Sequence, residues 1–361
     1  MSDLLHALVS IASPSGHESS AVNHLVTWMI AHGFEAHVDA AGNAFGLRGQ
    51  PDAPHTLLLL GHIDTVPGEI PVRVENGWLF GRGSVDAKGS LCAFAEAVAG
   101  ASIPERWRVI VVGAVEEEAP SSKGAHLIRD QFEPDYCIIG EPSGADRIAL
   151  GYKGHVLIDY QLTRPAAHSS RPEPTAAALG AAFWSAMQRW ADDQNRGHVR
   201  LFDQVLATLR AINTSSDGLY DTVHLTVGFR LPLHLTPDDV LEAARQRAGR
   251  GADLRAYSTA NAYLGSKNNA LVRGMLTAIR STGAQPGFVL KGGTSDMNVV
   301  GARWTCPIIA YGPGDSALDH TPEERIALDE YARAVAVLQG SIAGLGQAVP
   351  VSQIRETPAA L

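Results

Sequence analysis

The sequence predicts an α/β fold, with a large, mainly parallel-sheet domain interrupted by a small inserted ferredoxin-like domain. Three observations predict it. Short runs rich in Val, Ile and Leu alternate with helical stretches in the first part of the chain. The middle changes to the order βαββαβ. From residue 268 the first pattern resumes. Strands buried on both faces read as near-continuous apolar runs, and their alternation with helices argues for a parallel sheet covered on both sides.

In chain order, a helix over 22–32 follows the initiating region 15–19. Runs 55–60, 108–115 and 136–139 are the buried strands, with helices 87–100 and 122–131 between them. Residues 156–162 then alternate as a strand, 174–190 form a long Ala-rich helix, and 204–212 and 222–231 read as strands. A helix over 237–250 is opened by Thr236 with Pro237 at its first position, and 252–258 closes the insert as a strand. Helix 269–282, a strand around 288–290, strand 306–311 and helix 322–343 complete the large domain. The expected domains are 1–153 with 265–346, an insert over 154–264, and a tail over 347–361. Pro350, Pro358 and the lack of pattern predict that the tail frays.

Composition excludes several classes of function. Thirty-eight acids against 29 Lys and Arg give a net charge of −9, which argues against a nucleic-acid partner. The insert holds 11 Arg, no Lys and 11 acids, so the remaining 18 bases and 27 acids carry the whole imbalance. No apolar run approaches the roughly 18 residues that span a bilayer, so no membrane association is expected. The segment 4–12 has no basic stretch before it and does not read as a signal peptide. Cys92, Cys137 and Cys306 are scattered, which excludes a disulfide framework and a CxxC zinc site and fits a reducing cytoplasm.

Four apolar strands run into polar residues. The first ends in Gly61-His62-Ile63-Asp64, the second in Glu116-Glu117-Glu118, the third in Gly140-Glu141-Pro142. The fourth is followed by Gly312-Pro313-Gly314 and then Asp319-His320. Ligands of open α/β sheets bind beyond the carboxyl ends of the strands. Acids gathered there cannot all ionise side by side, and a pair of divalent cations resolves the conflict. Imidazole with carboxylate and no thiolate suits zinc, cobalt or manganese in a catalytic site. Each signal alone has an ordinary reading: Glu116-Glu117 as a solvated turn, Asp86 as a helix N-cap. The combination is the signal. The stretch 81–90 looks phosphate-cradling, but it fits neither GxxxxGK[ST] nor GxGxxG and has no apolar strand leading into it.

The motifs GHIDTVPGE, LFGRGSVDAKGSL, VVGAVEEEAPSSKGA, IIGEPSG, AAHSSRP, KGGTSDMN and YGPGDSALDHTPEE, in order over 61–324, resemble the di-zinc aminoacylase, carboxypeptidase and succinyl-diaminopimelate desuccinylase family. The resemblance implies a zinc-peptidase-like catalytic domain with an inserted lid that mediates a homodimer. It implies two divalent ions, Zn²⁺ first and Co²⁺ as the alternative. His62, Asp86 and Glu141 would hold one ion. Asp86, Glu117 and His320 would hold the other, with Asp86 bridging and the Asp86–Ala87 peptide cis. Asp64 would orient His62 and fix its tautomer. Glu116 would be the general base, taking a proton from the attacking water and returning it to the leaving amine. His168 would be the oxyanion donor, supplied across the dimer in relatives. Arg230 would clamp a substrate carboxylate. Asn213 lies where relatives place a lid asparagine, and Thr294 belongs to the pocket-lining segment 292–296. By residue alone, His168 is equally a loop histidine, Arg230 a surface strand arginine, and 292–296 a turn opening a helix.

The family cleaves many amides, so fold and metals leave the substrate open. The compact stretch VPGEIPVRVENGWLFGRGSVDAKG most resembles the branch that releases lysine or ornithine from the C-terminal glutamate of an acidic amino-group carrier protein, in lysine and arginine biosynthesis. Arg245, Arg247, Arg250 and Arg255 offer such a carrier a docking face, or form an ordinary solvated helix face. The alternatives are a small-molecule deacylase of the acetylornithine or succinyl-diaminopimelate type, a dipeptidase, or a metal-binding interaction module without catalysis.

Overall fold

The computed structural model describes residues 2–168 and 170–347; Met1, Ser169 and 348–361, which include nearly all of the expected tail, lie outside the described residues. The chain splits into two compact units, one of 1–151, 265–290 and 295–361, the other of 152–264 and 291–294.

The first unit begins with α1 (Asp3–Val9), α2 (Ser19–Ala31), β1 (Glu35–Val38), β2 (Ala44–Gly49), β3 (His55–His62), β4 (Arg73–Glu75) and β5 (Trp78–Phe80). It continues through α3 (Lys88–Gly100), β6 (Trp107–Ala114), α4 (Lys123–Gln131), β7 (Tyr136–Gly140) and β8 (Arg147–Tyr152). The second unit supplies β9 (Gly154–Pro165), α5 (Ala176–Gln194), β10 (Leu206–Ser216), β11 (Tyr220–Leu231), α6 (Pro237–Arg247), β12 (Ala252–Ala260) and β13 (Tyr263–Leu264). The chain then adds α7 (Ala270–Ser281), β14 (Gly287–Lys291), α8 (Asp296–Gly301), β15 (Ile308–Ala310), β16 (Arg325–Ala327) and α9 (Leu328–Ala343).

In the first unit the main sheet runs β1-β2-β6-β3-β7-β15-β8. Its four central strands, β6, β3, β7 and β15, are parallel, while β1, β2 and β8 are antiparallel at the margins. Every residue of β3 is buried, as its uninterrupted Leu57–Leu60 run requires. Near the carboxyl ends, Gly61 stands in register with Gly113 on one side and Gly140 on the other. A Cβ at Gly140 would lie 2.8 Å from the Phe94 ring and 2.9 Å from the Gly61 Cα. The row of bare backbones therefore lets α3 sit close beneath the strand ends.

Two short strands, β4 and β5, pair with β16 in a separate small sheet. Here the structure corrects the helix expected over 322–343. Arg325–Ala327 pairs with β5, Ile326 is buried opposite Leu79, and the helix begins only at Leu328. The local pattern reads as helix, and pairing with a partner far away in sequence overrides it. The strands β1, β2, β4, β5, β8 and β13 and the helix α1 were not expected from the sequence, because most are too short to show a period.

The second unit has the order βαββαβ and an all-antiparallel sheet β10-β11-β9-β12, which is the ferredoxin-like arrangement. Thr236 caps α6, with Pro237 at the first turn and Asp239 completing a reciprocal capping box. Alternate residues of β9 and β11 (Val156, Ile158, Tyr160, Val223, Leu225, Val227 and Phe229) bury one sheet face against α5 and α6. Tyr160 stacks on Phe183 of α5 with ring centroids 4.3 Å apart.

Phe183→Ala removes that ring from a core site where it is 2% exposed. The expected loss is about 3–5 kcal/mol of unfolding free energy, read by chemical denaturation. A loss below about 1 kcal/mol would mean that the site collapses around the void.

Candidate metal centre

The carboxyl ends of the four parallel strands deliver the side chains. His62 closes β3, Glu116-Glu117-Glu118 follows β6, Glu141 follows β7, and the segment after β15 leads to His320. His62 is fully enclosed, and its Nδ1 lies 3.0 Å from the backbone carbonyl of Asp64. The carbonyl can only accept, so Nδ1 carries the proton and donates, and Nε2 is turned toward the acids. Nε2 lies 3.2 Å from Asp86 Oδ1 and 3.8 Å from Glu141 Oε1. The other Asp86 oxygen, Oδ2, lies 3.0 Å from His320 Nε2, which is also 2.8 Å from Glu118 Oε1. Asp86 thus turns one oxygen to each imidazole. The Asp86–Ala87 peptide is cis.

Asp64 is buried and serves as a fixed acceptor. It takes the backbone N–H groups of Glu117 and Glu118, each at 3.0 Å, and the Ser15 hydroxyl at 2.6 Å. Burial alone would raise its pKa, but the bonds from His62 and Ser15 hold it below the usual carboxylate range. One carboxylate therefore ties the turn after β6 to the end of β3.

Two placements differ from those that the resemblance implied. Glu116 does not enter the cluster. Its carboxylate pairs with Lys123 Nζ at 2.7 Å and accepts from the Ser121 hydroxyl at 2.5 Å. Its backbone is left-handed, with φ of 59°, which turns the chain so that the next two acids go inward. Glu118, rather than Glu117, lies beside Asp86 and His320. Glu117 groups instead with His62 and Glu141. Three consecutive glutamates leave the register open by one, and the turn geometry decides it.

A buried acid sets the loop before Asp86. Glu324 accepts the backbone N–H groups of Val85 at 3.0 Å and Asp86 at 3.1 Å through one oxygen, and the Arg82 guanidinium at 2.6 Å through the other. On the far side, the buried ammonium of Lys88 donates to the carbonyls of Leu8 at 3.1 Å and Ile11 at 2.6 Å. Burial brings the Lys88 pKa down to about 8.

The site's electrostatics favour a cation. Asp86, Glu117, Glu118 and Glu141 crowd two imidazoles, and Asp296 at the start of α8 adds a buried carboxylate whose Oδ1 has no hydrogen-bond partner. Burial drives the carboxyls of Glu117 and Glu141 well above their ordinary range, with neighbouring acids reinforcing it and His62 opposing. Burial raises Asp296 to about 7. The hydrogen bonds that His320 donates to Asp86 and Glu118 raise its pKa to about 10. Without a cation, protons must take the place of positive charge. Hard oxygen donors with imidazole nitrogens and no thiolate fit a divalent ion.

The remaining expected site residues belong to the second unit. His168 is exposed, its Nδ1 2.8 Å from the Ser170 hydroxyl. Asn213 is exposed on β10 in register with His224. Arg230 on β11 donates to the Thr294 hydroxyl at 2.9 Å. Helix α6 is mixed in sign: Asp238, Asp239 and Glu242 stand with Arg245 and Arg247, and Arg247 donates to the Ala243 carbonyl. Sequence reasoning missed the places of Glu118, Asp296 and Glu324. All three lie inside motifs quoted for the resemblance.

The sequence profile of peptidase family M20/M25/M40 matches residues 58–343. A protein of Deinococcus radiodurans named [LysW]-lysine hydrolase is 48% identical over 351 residues, covering 95% of this chain and 96% of its own. A Thermococcus kodakarensis protein named putative [LysW]-lysine/[LysW]-ornithine hydrolase is 37% identical, covering 93% of this chain and 89% of its own. Among solved structures, a tripeptidase from Staphylococcus aureus superimposes with a TM-score of 0.77 at 19% identity, covering 96% and 97% of the two chains. An M20 family metallo-carboxypeptidase from Sulfolobus solfataricus gives 0.75 at 18%, covering 95% and 99%. At that identity the structures speak to the fold alone.

Glu324→Gln strips the charge from the acceptor of two loop amides and leaves Arg82 without its partner. The expected loss is about 3 kcal/mol of stability, with a lower divalent-ion content after dialysis. Unchanged denaturation and unchanged metal content would show that the loop holds its shape without Glu324.

Proposed function

This chain belongs to peptidase family M20/M25/M40, and we propose that it hydrolyses the amide joining lysine, or ornithine, to the C-terminal glutamate of an acidic amino-group carrier protein. The observation that carries the proposal is the 48% identity, over 95% of the chain, to a relative named for that reaction with lysine. Relatives named for both amino acids support ornithine as a second product. The reaction places the enzyme in lysine biosynthesis and, with ornithine, in arginine biosynthesis, in the cytoplasm. Among the described residues, no helix is long and apolar enough to cross a membrane.

His62, Asp86 and Glu141 would hold one divalent ion, and Asp86, Glu118 and His320 the other, with Zn²⁺ first and Co²⁺ as the alternative. When bound, such ions supply Lewis acidity toward the amide oxygen and lower the pKa of attacking water. Glu117 takes the water's proton and returns it to the leaving amine. Asp64 keeps His62 in one tautomer through the carbonyl that its own residue presents. Arg230 clamps a free carboxylate of the substrate, with Thr294 bracing the guanidinium. His168 supplies the oxyanion donor, across a homodimer formed through the second unit, and Asn213 assists it.

The metal-loaded enzyme should release lysine from carrier-linked lysine and act poorly on acetylornithine and succinyl-diaminopimelate, with chelator abolishing turnover. Preferential cleavage of the free acylated amino acids would overturn the substrate and keep the metal site. The three adjacent glutamates should separate. Glu117→Gln should lose about 10²–10⁴-fold in kcat with metal retained, Glu118→Ala should lose metal, and Glu116→Gln should stay within a few-fold of wild type. A Glu116→Gln as inactive as Glu117→Gln would restore Glu116 as the base.

A further inference from the structure

The chain between α1 and α2 supplies no metal ligand, yet it is bonded to two of the segments that do. All the residues concerned lie within the first unit. The segment leaves α1, which buries Leu4, Leu5, Leu8 and Val9 and has Ser2 as its N-cap. Leu8 and Ile11 turn their carbonyls to the Lys88 ammonium, at 3.1 and 2.6 Å. A cation is the natural partner for carbonyls at a helix C-terminus. Lys88 opens α3 two residues after Asp86, so this contact fixes the end of α1 against the loop that presents Asp86. Earlier in that loop, a side chain at Gly81 would collide with Val9.

The chain then runs beside the segment that presents His62. The residue before a proline is driven into extended backbone, and Ser13 precedes Pro14. The Ser13 carbonyl accepts the Thr65 N–H at 3.0 Å, and Pro14 forms a parallel bridge with Thr65. The Ser13 hydroxyl donates to the Ile63 carbonyl at 2.7 Å. Residues 14–17 make a tight turn, closed by the His17 N–H on the Pro14 carbonyl at 2.8 Å, with Gly16 at a φ of 85°. A turn with positive φ at its third residue needs the freedom that glycine has. The turn sets the Ser15 hydroxyl 2.6 Å from Asp64 Oδ2. Ser13, Asp64, Thr65 and Lys88 are each 3% exposed or less, so water does not readily replace these bonds.

The two attachments converge. A Cβ at Gly83 would lie 2.9 Å from Thr65 Cγ2 and 3.1 Å from Lys88 Cδ. Thr65 and Lys88, the anchors on the two metal-bearing segments, therefore close on one glycine. Residues 8–15 are held by Lys88 at their start and by 63–65 at their end.

We propose that residues 8–15 form a strap that sets the spacing of His62 and Asp86, with Ser15 and Lys88 as positioning residues for the metal pair. The inference rests on the metal-centre part of the hydrolase reading and on nothing about the substrate. Ser15 acts through Asp64, whose carboxylate takes the amides of Glu117 and Glu118 and whose carbonyl holds His62. Lys88 acts through the short stretch of backbone that it shares with Asp86. Cutting either end frees the strap, and the other end then has less to hold.

The test reads ion binding rather than turnover. Co²⁺ is titrated into metal-free protein shown by circular dichroism to be folded at the same temperature, and its visible absorption reports the ligand geometry. Ser15→Ala should bind Co²⁺ about 10-fold more weakly, with an altered spectrum, and Ser15→Thr, which restores a hydroxyl, should stay within about two-fold of the wild type. Lys88→Met, which keeps the chain and removes the ammonium, should also weaken binding. The double variant Ser15→Ala/Lys88→Met should lose less than the product of the two single losses, because both cut one strap. A Ser15→Ala that binds Co²⁺ like the wild type overturns the strap, as does a Ser15→Thr no better than Ser15→Ala, or single losses that multiply in full. Should Lys88→Met fail to fold, the two Ser15 variants decide alone. A wild type that binds no divalent ion overturns the metal centre itself, and the strap falls with it.

Discussion

Everything at the centre of the first unit follows from packing negative charge where water reaches it only in part. Asp86, Glu117, Glu118, Glu141 and Asp296 converge on His62 and His320 beyond the strand ends. In a low-dielectric site those carboxylates repel one another by more than the imidazoles can offset. Protons are a partial remedy, which is why Glu117, Glu141 and Asp296 are all driven up. A divalent ion is a better one, because it satisfies several oxygens at once and leaves the acids ionised.

A cluster that repels itself must be held from outside, and the scaffold does this with backbone contacts. Asp64 fastens the amides of Glu117 and Glu118 to the end of β3. Glu324 fastens those of Val85 and Asp86. Lys88 ties the start of α3 to the carbonyls of Leu8 and Ile11. The register row of Gly61, Gly113 and Gly140 lets α3 approach the sheet just below the ligands. In each case a group that never meets substrate removes a degree of freedom from one that does.

Long-period features were legible in the sequence. Leu57–Leu60 reads as a doubly buried strand and is one, and Thr236-Pro237 announces the start of α6, which the capping box confirms. Short-period features were not. Arg325–Ala327 is a strand only because β5 lies beside it, a contact no local pattern encodes. The same limit applies at the site. The run Glu116-Glu117-Glu118 marks the place, but which acid turns inward depends on a single left-handed residue, and Glu116 has no glycine-like signature to give that away. Asp296 hid for another reason. An acid just after Ser295 reads as ordinary first-turn chemistry, and its burial is a tertiary fact.

The two units divide the electrostatic labour. The first unit carries the net negative charge and concentrates it at one point, where the need is for a cation and a proton acceptor. The second adds Lys153 and Lys291 to a balanced insert and is slightly basic, with Arg210, Arg230 and Asp159 on three neighbouring strands of its sheet. The charge that calls for a cation is therefore built entirely from residues of the first unit.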